Sequence, residues 1–260
     1  MNLLSKIYKK FLHRYKKKIN LDKTKIKLIK LDDIFNFYET DKGSKLLNPY
    51  SKLKKRHLIK GHGFAKFYEK HFKSLKKRNI NILEIGIWKG ASTASFFHYF
   101  KKAQFFAIDR NFKLKYSSKR INFFFCDTTS PKDLSKFKTY IESKKVSFFD
   151  IIIDDGSHIL SNILKNLIFF FKYLIPGGIY VIEDYKHPNY FTYLHDVKNH
   201  IFIDKVLFYL RKKALILSYY YINYRKYQFL CKIFFDQNLY LILLERVFLI
   251  HIILLNSLNM

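Results

Sequence analysis

Two acidic pairs and a histidine follow apolar runs in the second half of the chain. Residues 151–153 are three isoleucines followed by two aspartates, and a Gly-Ser turn then leads to a histidine. Residues 179–182 form a second apolar run that ends in a Glu-Asp pair. Such runs are typical of buried parallel strands, and ligands of open α/β sheets bind at the carboxyl ends of the strands. The pattern therefore predicts a pocket that could hold a metal ion and move a proton. Its candidate residues are Asp154, Asp155, His158, Glu183 and Asp184.

A turn with two glycines follows an earlier strand pattern. Gly86 and Gly90 come after the apolar residues 81–85 and before a helical pattern. Glycines let the backbone approach a ligand closely, beside the N-terminus of the following helix. Asp109 ends the next strand pattern, where a carboxylate can accept both hydroxyls of a ribose. Asp127 follows the third strand pattern and is placed to accept a hydrogen bond from an adenine amino group.

The glycine turn also has a structural interpretation, because two glycines allow a strand and a helix to pack tightly. The acids that end the next two strands favour a nucleotide-like ligand instead. The third glycine of the dinucleotide fingerprint is missing, which argues against NAD. The chain also has no Gly-Lys-Ser/Thr sequence, so a phosphate loop is excluded.

Strand and helix patterns alternate from residue 80 to residue 184, which predicts βαβ units and a parallel sheet. The predicted strands are residues 81–85, 105–109, 121–125, 148–153 and 179–182, and the predicted helices are residues 91–99, 131–143 and 159–174. Residues 232–245 contain two apolar segments around a polar turn, which predicts a hairpin. The predicted fold class is α/β, a Rossmann-like and mostly parallel sheet that ends in an antiparallel hairpin, with a basic helical N-terminal extension.

The composition fits one α/β domain with additions. The 260 residues are 49% hydrophobic, which allows a sizeable core. There are two cysteines, no signal-peptide core and no uninterrupted apolar stretch of about 20 residues, so we expect a cytoplasmic protein. The net charge of +29 suggests a polyanion or a membrane surface as partner. However, 41 of the 49 basic residues are lysines, as expected from an A/T-rich genome, and both interpretations stay open.

Five segments carry motifs that occur together in one known family. They are residues 38–44 (Tyr-Glu-Thr-Asp-Lys-Gly-Ser), 63–69, 83–86 (Leu-Glu-Ile-Gly), 152–158 (Ile-Ile-Asp-Asp-Gly-Ser-His) and 176–184, which ends in Glu-Asp. Over roughly residues 31–245 the chain resembles class I S-adenosylmethionine-dependent methyltransferases. More narrowly, it is similar to the metal-dependent sugar O-methyltransferases of the macrocin and mycinamicin type. We accordingly predict three parts of the chain. They are a basic amphipathic segment at residues 1–30, a methyltransferase domain at residues 31–246 and an apolar C-terminal tail at residues 247–260.

The resemblance implies S-adenosylmethionine and Mg²⁺ as cofactors. It implies that Asp155, Glu183 and Asp184 hold the Mg²⁺ and that His158 is the general base. The resemblance and the turn together predict the cofactor-binding residues Asp41, Glu84, Gly86, Gly90, Asp109 and Asp127. Such relatives often have a second histidine one helical turn after the first, and this chain has Asn162 there. The stretch after the Glu-Asp pair also differs, and both departures bear on the identity of the substrate.

Several of these residues have structural interpretations that stay open. Asp154 and Asp155 could each cap the turn that follows them, and Thr40 or Asp41 could cap another turn. His158 could be a surface residue or a packed residue without a catalytic role. Consecutive strand residues point to opposite faces, so Glu183 and its neighbour can share a metal only if the strand has ended there. Aromatic residues at positions 64, 67, 68 and 72 recur at helical spacing, which indicates core packing.

The predicted function is methylation of a sugar hydroxyl in a glycan or glycolipid. An RNA methyltransferase is one alternative, although no RNA-binding module is recognisable and a nucleic-acid partner is therefore not expected. The other is a non-catalytic, membrane-associated protein that binds the cofactor. Residues 3–18 have an apolar stripe and a basic face, which predicts an amphipathic helix. This helix could lie on the anionic inner face of the membrane, or its apolar stripe could pack on the protein's own core. A homo-oligomer is also left open.

Overall fold

The computed structural model describes residues 18–47, 58–111, 113–184, 233–234, 240–245 and 248–254. These residues belong to two compact units, which divide between Asp127 and Thr128. No helix within these ranges is long and apolar enough to cross a membrane. The predicted amphipathic helix at residues 3–18 lies outside the described residues, apart from Lys18.

The first unit begins with short elements and continues with a strand–helix alternation. Its described elements are β1 (Ile19–Asn20), α1 (Leu31–Phe37), β2 (Lys45–Leu47), β3 (Leu58–Lys60), α2 (Ala65–Phe72), β4 (Asn81–Ile85), α3 (Ala91–Tyr99), β5 (Gln104–Asp109), β6 (Tyr116–Ser117) and β7 (Ile121–Phe125). Strands β2 and β3 pair antiparallel, and β1 pairs with β6 in parallel. The described part of the chain before residue 80 therefore contains strands as well as helices.

Three parallel strands of the first unit position the predicted cofactor site. Strand β5 lies between β4 and β7, and Asp109 stands opposite Phe125 in the register. Because the strands run in the same direction, their carboxyl ends lie at one edge. Buried side chains on both faces explain why β4 and β5 are nearly continuous apolar runs.

Aromatic side chains from three helices form much of the core of the first unit. Phe35 of α1, Tyr68 and Phe72 of α2, and Phe96 of α3 are fully buried. The ring of Phe96 lies 5.3 Å from that of Phe35 and 5.2 Å from that of Tyr68, and both contacts are edge-to-face. This geometry matches the quadrupoles of the rings and contributes about 0.5–1.5 kcal/mol per pair beyond burial. The core interpretation of the aromatic stripe is thereby confirmed.

The second unit places two helices before and between the strands that carry the acidic pairs. Its described elements are α4 (Pro131–Ser143), β8 (Phe149–Asp154), α5 (Leu160–Phe170), β9 (Leu174–Ile182), β10 (Ile233–Phe234), β11 (Tyr240–Glu245) and β12 (Phe248–Leu254). Strand β9 runs parallel to both β8 and β12, which flank it. Strand β12 pairs antiparallel with β11, and β11 pairs antiparallel with β10.

The predicted fold class, a Rossmann-like and mostly parallel sheet with alternating helices, is confirmed. The strands β10 and β11 form the predicted antiparallel hairpin. Residues 247–260, which we set apart as a tail, contain β12, and this strand pairs along β9 from Ile179 to Ile182. Its β-branched, apolar sequence fits a strand with a neighbour on each side. The sheet therefore extends beyond the boundary that we predicted at residue 246.

Candidate active site

The glycine turn joins β4 to α3 in the first unit. Gly86 and Gly90 have φ angles of 82° and 84°, a left-handed conformation that glycine adopts without strain. A Cβ atom at Gly90 would also overlap the side chain of Leu114. The N–H of Gly86 donates to the carbonyl of Ile108 at 2.9 Å, which ties the turn to β5. The backbone conformation of the turn therefore favours glycine at both positions.

Glu84 anchors the start of α3. Its side chain is buried, with one carboxylate oxygen accepting from the hydroxyl of Ser92 and the other from the hydroxyl of Thr93. Both hydroxyls belong to the first turn of α3, where a carboxylate also interacts favourably with the helix dipole. Glu84 thus fixes the helix N-terminus beside the glycine turn.

Asp109 lies at the end of β5 and is 8% exposed. Its Oδ2 accepts a hydrogen bond from the backbone N–H of Trp88 at 2.8 Å, and its Oδ1 accepts from the N–H of Asn111 at 2.6 Å. Burial raises the pKa of Asp109, while these hydrogen bonds oppose the shift by favouring the ionised form. The carboxylate is therefore held in one orientation, with a second acceptor site on each oxygen.

Trp88 is the residue of this turn that the sequence interpretation missed. It is 55% exposed and has a φ angle of 47°, which is a strained value for a bulky side chain. The Nζ atoms of Lys89 and Lys113 lie 5.7 and 5.5 Å from the centre of its ring. The sequence could have pointed to this residue, because the single tryptophan of the chain stands between the two glycines of the turn. Its position next to Asp109 makes it available to a bound ligand.

The other two acids predicted for this site stand in different surroundings. Asp127 follows β7 and is half-buried, and the N–H of the preceding Cys126 donates to the carbonyl of Asp109 at 3.1 Å. Asp109 and Asp127 therefore lie near the ends of neighbouring strands, as predicted. Asp41 is exposed in a turn where the N–H of Gly43 donates to the carbonyl of Thr40. The turn interpretation fits this segment, and cofactor binding by Asp41 stays a prediction.

An acid–histidine group forms in the second unit from Asp155, His158 and Asp184. One potential ligand atom from each residue lies within 4.8 Å of those from the other two. The Nε2 atom of His158 is 3.7 Å from Oδ1 of Asp155, and both side chains are largely buried. His158 and Asp184 have φ angles of 56° and 50°. Left-handed backbone at two non-glycine residues costs free energy and is typical of functional sites.

Glu183 occupies a different position from its neighbour Asp184. Strand β9 ends at Ile182, so the condition under which the Glu-Asp pair could share a metal is met. Glu183 is nevertheless 1% exposed, and its N–H continues the pairing by donating to the carbonyl of Asp154 at 2.9 Å. The predicted metal ligands were Asp155, Glu183 and Asp184. Within the described residues, the group whose potential ligand atoms lie close together contains His158 instead of Glu183. Which carboxylates hold a metal, and whether His158 is the base, stay predictions.

Asp154 and Asn166 form a buried pair that supports the loop of the acid–histidine group. The Nδ2 atom of Asn166, on α5, lies 3.0 and 3.3 Å from the two carboxylate oxygens of Asp154. Oδ1 of Asp154 also accepts from the N–H of Gly156 at 3.2 Å, which confirms the predicted turn cap. Burial raises the pKa of Asp154 to about 7, although the hydrogen bond from Asn166 opposes this. Asn166 was missed, but it is a polar residue between Ile163 and Leu167 on the buried face of its helix.

The donor set of the second unit fits a divalent cation. Carboxylate oxygens are the ligands that Mg²⁺ prefers, and an imidazole is a frequent ligand of other divalent metals or a proton acceptor. In the first unit, the turn and the strand-end acids offer the hydrogen-bond acceptors that a nucleoside requires. The fold and its two groups of residues therefore define an α/β protein suited to a nucleoside cofactor and a metal ion.

Known proteins with similar sequences are O-methyltransferases. Over 130 residues, or 47% of the chain, the identity is 32% to demethylmacrocin O-methyltransferase of Streptomyces fradiae and 30% to mycinamicin VI 2''-O-methyltransferase of Micromonospora griseorubida. A third relative, 28% identical, is 8-demethyl-8-alpha-L-rhamnosyl tetracenomycin-C 2'-O-methyltransferase of Streptomyces olivaceus. The aligned residues span about a third of the length of each relative. The resemblance that the motifs indicated is confirmed by these relatives.

A solved structure of the MycE methyltransferase from the mycinamycin biosynthetic pathway, in complex with Mg and SAH, is also similar. It aligns with a TM-score of 0.47 and 27% identity, over 60% of this chain and 37% of that protein. No family model matches the chain.

Proposed function

We propose that this chain is an S-adenosylmethionine- and Mg²⁺-dependent O-methyltransferase that acts on a sugar hydroxyl of a glycan or glycolipid. The observation that carries the proposal is the group of Asp155, His158 and Asp184, in a chain with O-methyltransferase relatives. One of those relatives is named for a rhamnosyl substrate, which supports a sugar as the methyl acceptor.

The first unit binds the cofactor in this proposal. S-adenosylmethionine, when bound, supplies a methyl group on a positively charged sulfur. Asp109 accepts hydrogen bonds from the ribose hydroxyls. The N–H groups of Trp88 and Asn111 already hold its carboxylate in one orientation, so little freedom is lost when the ribose binds. Asp127 accepts from the adenine amino group. Gly86, at the start of the turn, has no side chain and therefore allows the ligand to approach the backbone closely.

The second unit activates the acceptor. A divalent cation, when bound, lowers the pKa of a sugar hydroxyl and fixes its orientation. Asp155 and Asp184 hold the cation, with Glu183 as the further carboxylate of the predicted set. His158 then takes the proton of the hydroxyl as general base, and the carboxylate of Asp155, 3.7 Å away, stabilises the imidazolium that results.

Radiolabelled S-adenosylmethionine tests the function directly. The full chain is incubated with it and with glycan, glycolipid or RNA fractions of a bacterial lysate, in the presence of Mg²⁺ or a chelator. We expect label in a glycan or glycolipid fraction, none with chelator, and recovery when Mg²⁺ is restored. Label in RNA alone would establish the alternative enzyme, whereas full activity in chelator would remove the metal from the proposal.

Variants then assign the roles of the residues. His158→Ala should lower turnover by roughly 10²–10⁴-fold, the usual loss for a general base. Asp184→Asn should weaken the binding of Mn²⁺, used as a spectroscopic probe of the metal site, while Glu142→Gln serves as control because its carboxylate lies in an exposed ion pair. Unchanged Mn²⁺ affinity in Asp184→Asn would exclude this carboxylate as a ligand.

A further inference from the structure

A cavity of about 200 Å³ lies in the first unit near the C-terminal end of α3. Apolar side chains of an extended segment, including Ile26 and Leu28, form one part of its wall. Lys76, His98 and Lys101 form another part. No carboxylate is among the described residues that line it. The cavity therefore combines apolar surface with an excess of positive charge.

The lysines of the cavity lie close to further positive charge. Burial lowers the pKa of Lys101, and the charges of Lys76 and Arg120 lower it further. Lys76 is held in place, because its Nζ donates to the carbonyl of Ile29 at 3.2 Å and lies 4.5 Å from the ring centre of Tyr99. The repulsion that Lys101 experiences from these neighbouring charges is relieved when an anion binds between them.

His98 adds a fixed polar group to the same wall. It is 7% exposed, and its Nε2 atom is buried without a hydrogen-bond partner among the described residues. The ring stacks on Tyr38, with 5.6 Å between centroids and 15° between planes, so its orientation is set. Burial, followed by the charges of Lys101 and Arg120, lowers the pKa of His98 to about 4. A neutral imidazole of this kind can donate one hydrogen bond to a ligand oxygen.

The end of α3 would normally disfavour an anion, because the last carbonyls of a helix carry partial negative charge. Arg120 offsets this effect. Its guanidinium donates to the carbonyls of Phe97, Phe100 and Ala103 at distances of 3.0, 2.9 and 3.0 Å. The glycine turn lies at the other end of α3, and a helix of nine residues is about 13 Å long. The cavity is therefore separate from the predicted cofactor site.

We propose that this cavity binds a phosphate group of a ligand that also carries an apolar part. Lys76 and Lys101 pair with the phosphate oxygens, His98 donates a hydrogen bond, and the apolar wall at Ile26 and Leu28 contacts the remainder of the ligand. A soluble phosphate ester and the head group of an anionic phospholipid share this chemistry. The proposal does not depend on methyl transfer, and its test uses no S-adenosylmethionine.

Binding is measured on the full chain with three probes: inorganic phosphate, butyl phosphate, and vesicles of phosphatidic acid with phosphatidylcholine vesicles as reference. Calorimetry gives the affinities, and NMR follows the ring signals of His98, assigned by comparison with His98→Gln. The cavity variant is Lys76→Gln/Lys101→Gln. The control is Lys132→Gln/Lys136→Gln, which removes the same charge from two exposed lysines of α4. Circular dichroism verifies that both variants keep the fold.

We expect saturable binding of butyl phosphate or phosphatidic acid, with a shift of the His98 signals. The cavity variant should bind at least about tenfold more weakly than the control, because it lacks both lysine charges that pair with the phosphate. The probe that binds more tightly identifies the soluble or the lipid source. No saturable binding of any probe, equal affinity of the two variants, or binding that leaves the His98 signals unmoved would overturn the proposal.

Discussion

At the scale of single residues, Asp109 offers the most direct test of the cofactor site. Two backbone N–H groups hold its carboxylate, so its side chain is already in place before a ligand arrives. Asp109→Ala should weaken S-adenosylmethionine binding by about 1–3 kcal/mol, the scale for a lost hydrogen bond to a charged group. Calorimetry measures the change, with Glu142→Ala as a control far along the chain. Unchanged affinity in a folded Asp109→Ala protein would exclude this residue from the site.

His98 should make the stability of the protein dependent on pH. Its folded-state pKa of about 4 lies below the ordinary value of 6.5, so the unfolded chain binds more protons between these values. The stabilisation is therefore complete above about pH 6.5 and is lost as the pH falls towards 4. Between pH 7.5 and pH 5 the unfolding free energy should fall by about 2 kcal/mol more in the native protein than in His98→Phe.

Urea unfolding in phosphate-free buffers at the two pH values provides this measurement. Phenylalanine keeps the aromatic contact with Tyr38 and removes the titrating group, so other titrations cancel in the comparison. Equal pH dependence in the two proteins would show that His98 is protonated in the folded state as readily as in the unfolded chain.

At the scale of elements, the turn between β4 and α3 depends on a backbone that only glycine adopts without strain. Gly90→Ala should destabilise the protein by at least about 1–2 kcal/mol, because a Cβ in left-handed backbone is strained and this one also overlaps Leu114. Gly90→Ala/Leu114→Ala should cost less than the sum of the two single changes, since the shorter side chain removes the overlap. Additive costs in thermal unfolding would show that Leu114 moves aside freely.

The elements that the sequence predicted best are those with one strong local signal. The bounds of α4 match the prediction because Ser130 caps the helix and Pro131 fits its first turn. Strand β12 was missed because pairing with β9 depends on residues distant in sequence. All three residues of the acid–histidine group were among the predicted site residues, but the left-handed backbone at His158 and Asp184 has no sequence signal at a non-glycine residue. Asn166 was missed because its partner lies on another element.

At the scale of the whole molecule, attachment to a membrane remains a prediction for residues 3–18. Near an anionic leaflet each basic residue contributes about 1 kcal/mol, and seven basic residues accompany the apolar stripe. The protein would then work in the cytoplasm at the inner face of the membrane. Flotation with anionic vesicles should recover the full chain but not a chain without residues 1–20, and added salt should weaken the binding. Equal binding by both chains would reject this helix as the anchor.

The order of strands in the second unit differs from their order along the chain. Strand β9 follows β8 closely, but its other neighbour, β12, is the last described strand. On the ribosome, β9 therefore emerges long before β12, and the N–H and C=O groups of β9 that pair with β12 wait for that partner. An open strand edge can pair with another chain. While residues 183–247 are being synthesised, nascent chains of this protein expose this edge of β9 to aggregation. Chaperones that cover exposed strand edges would act during that interval.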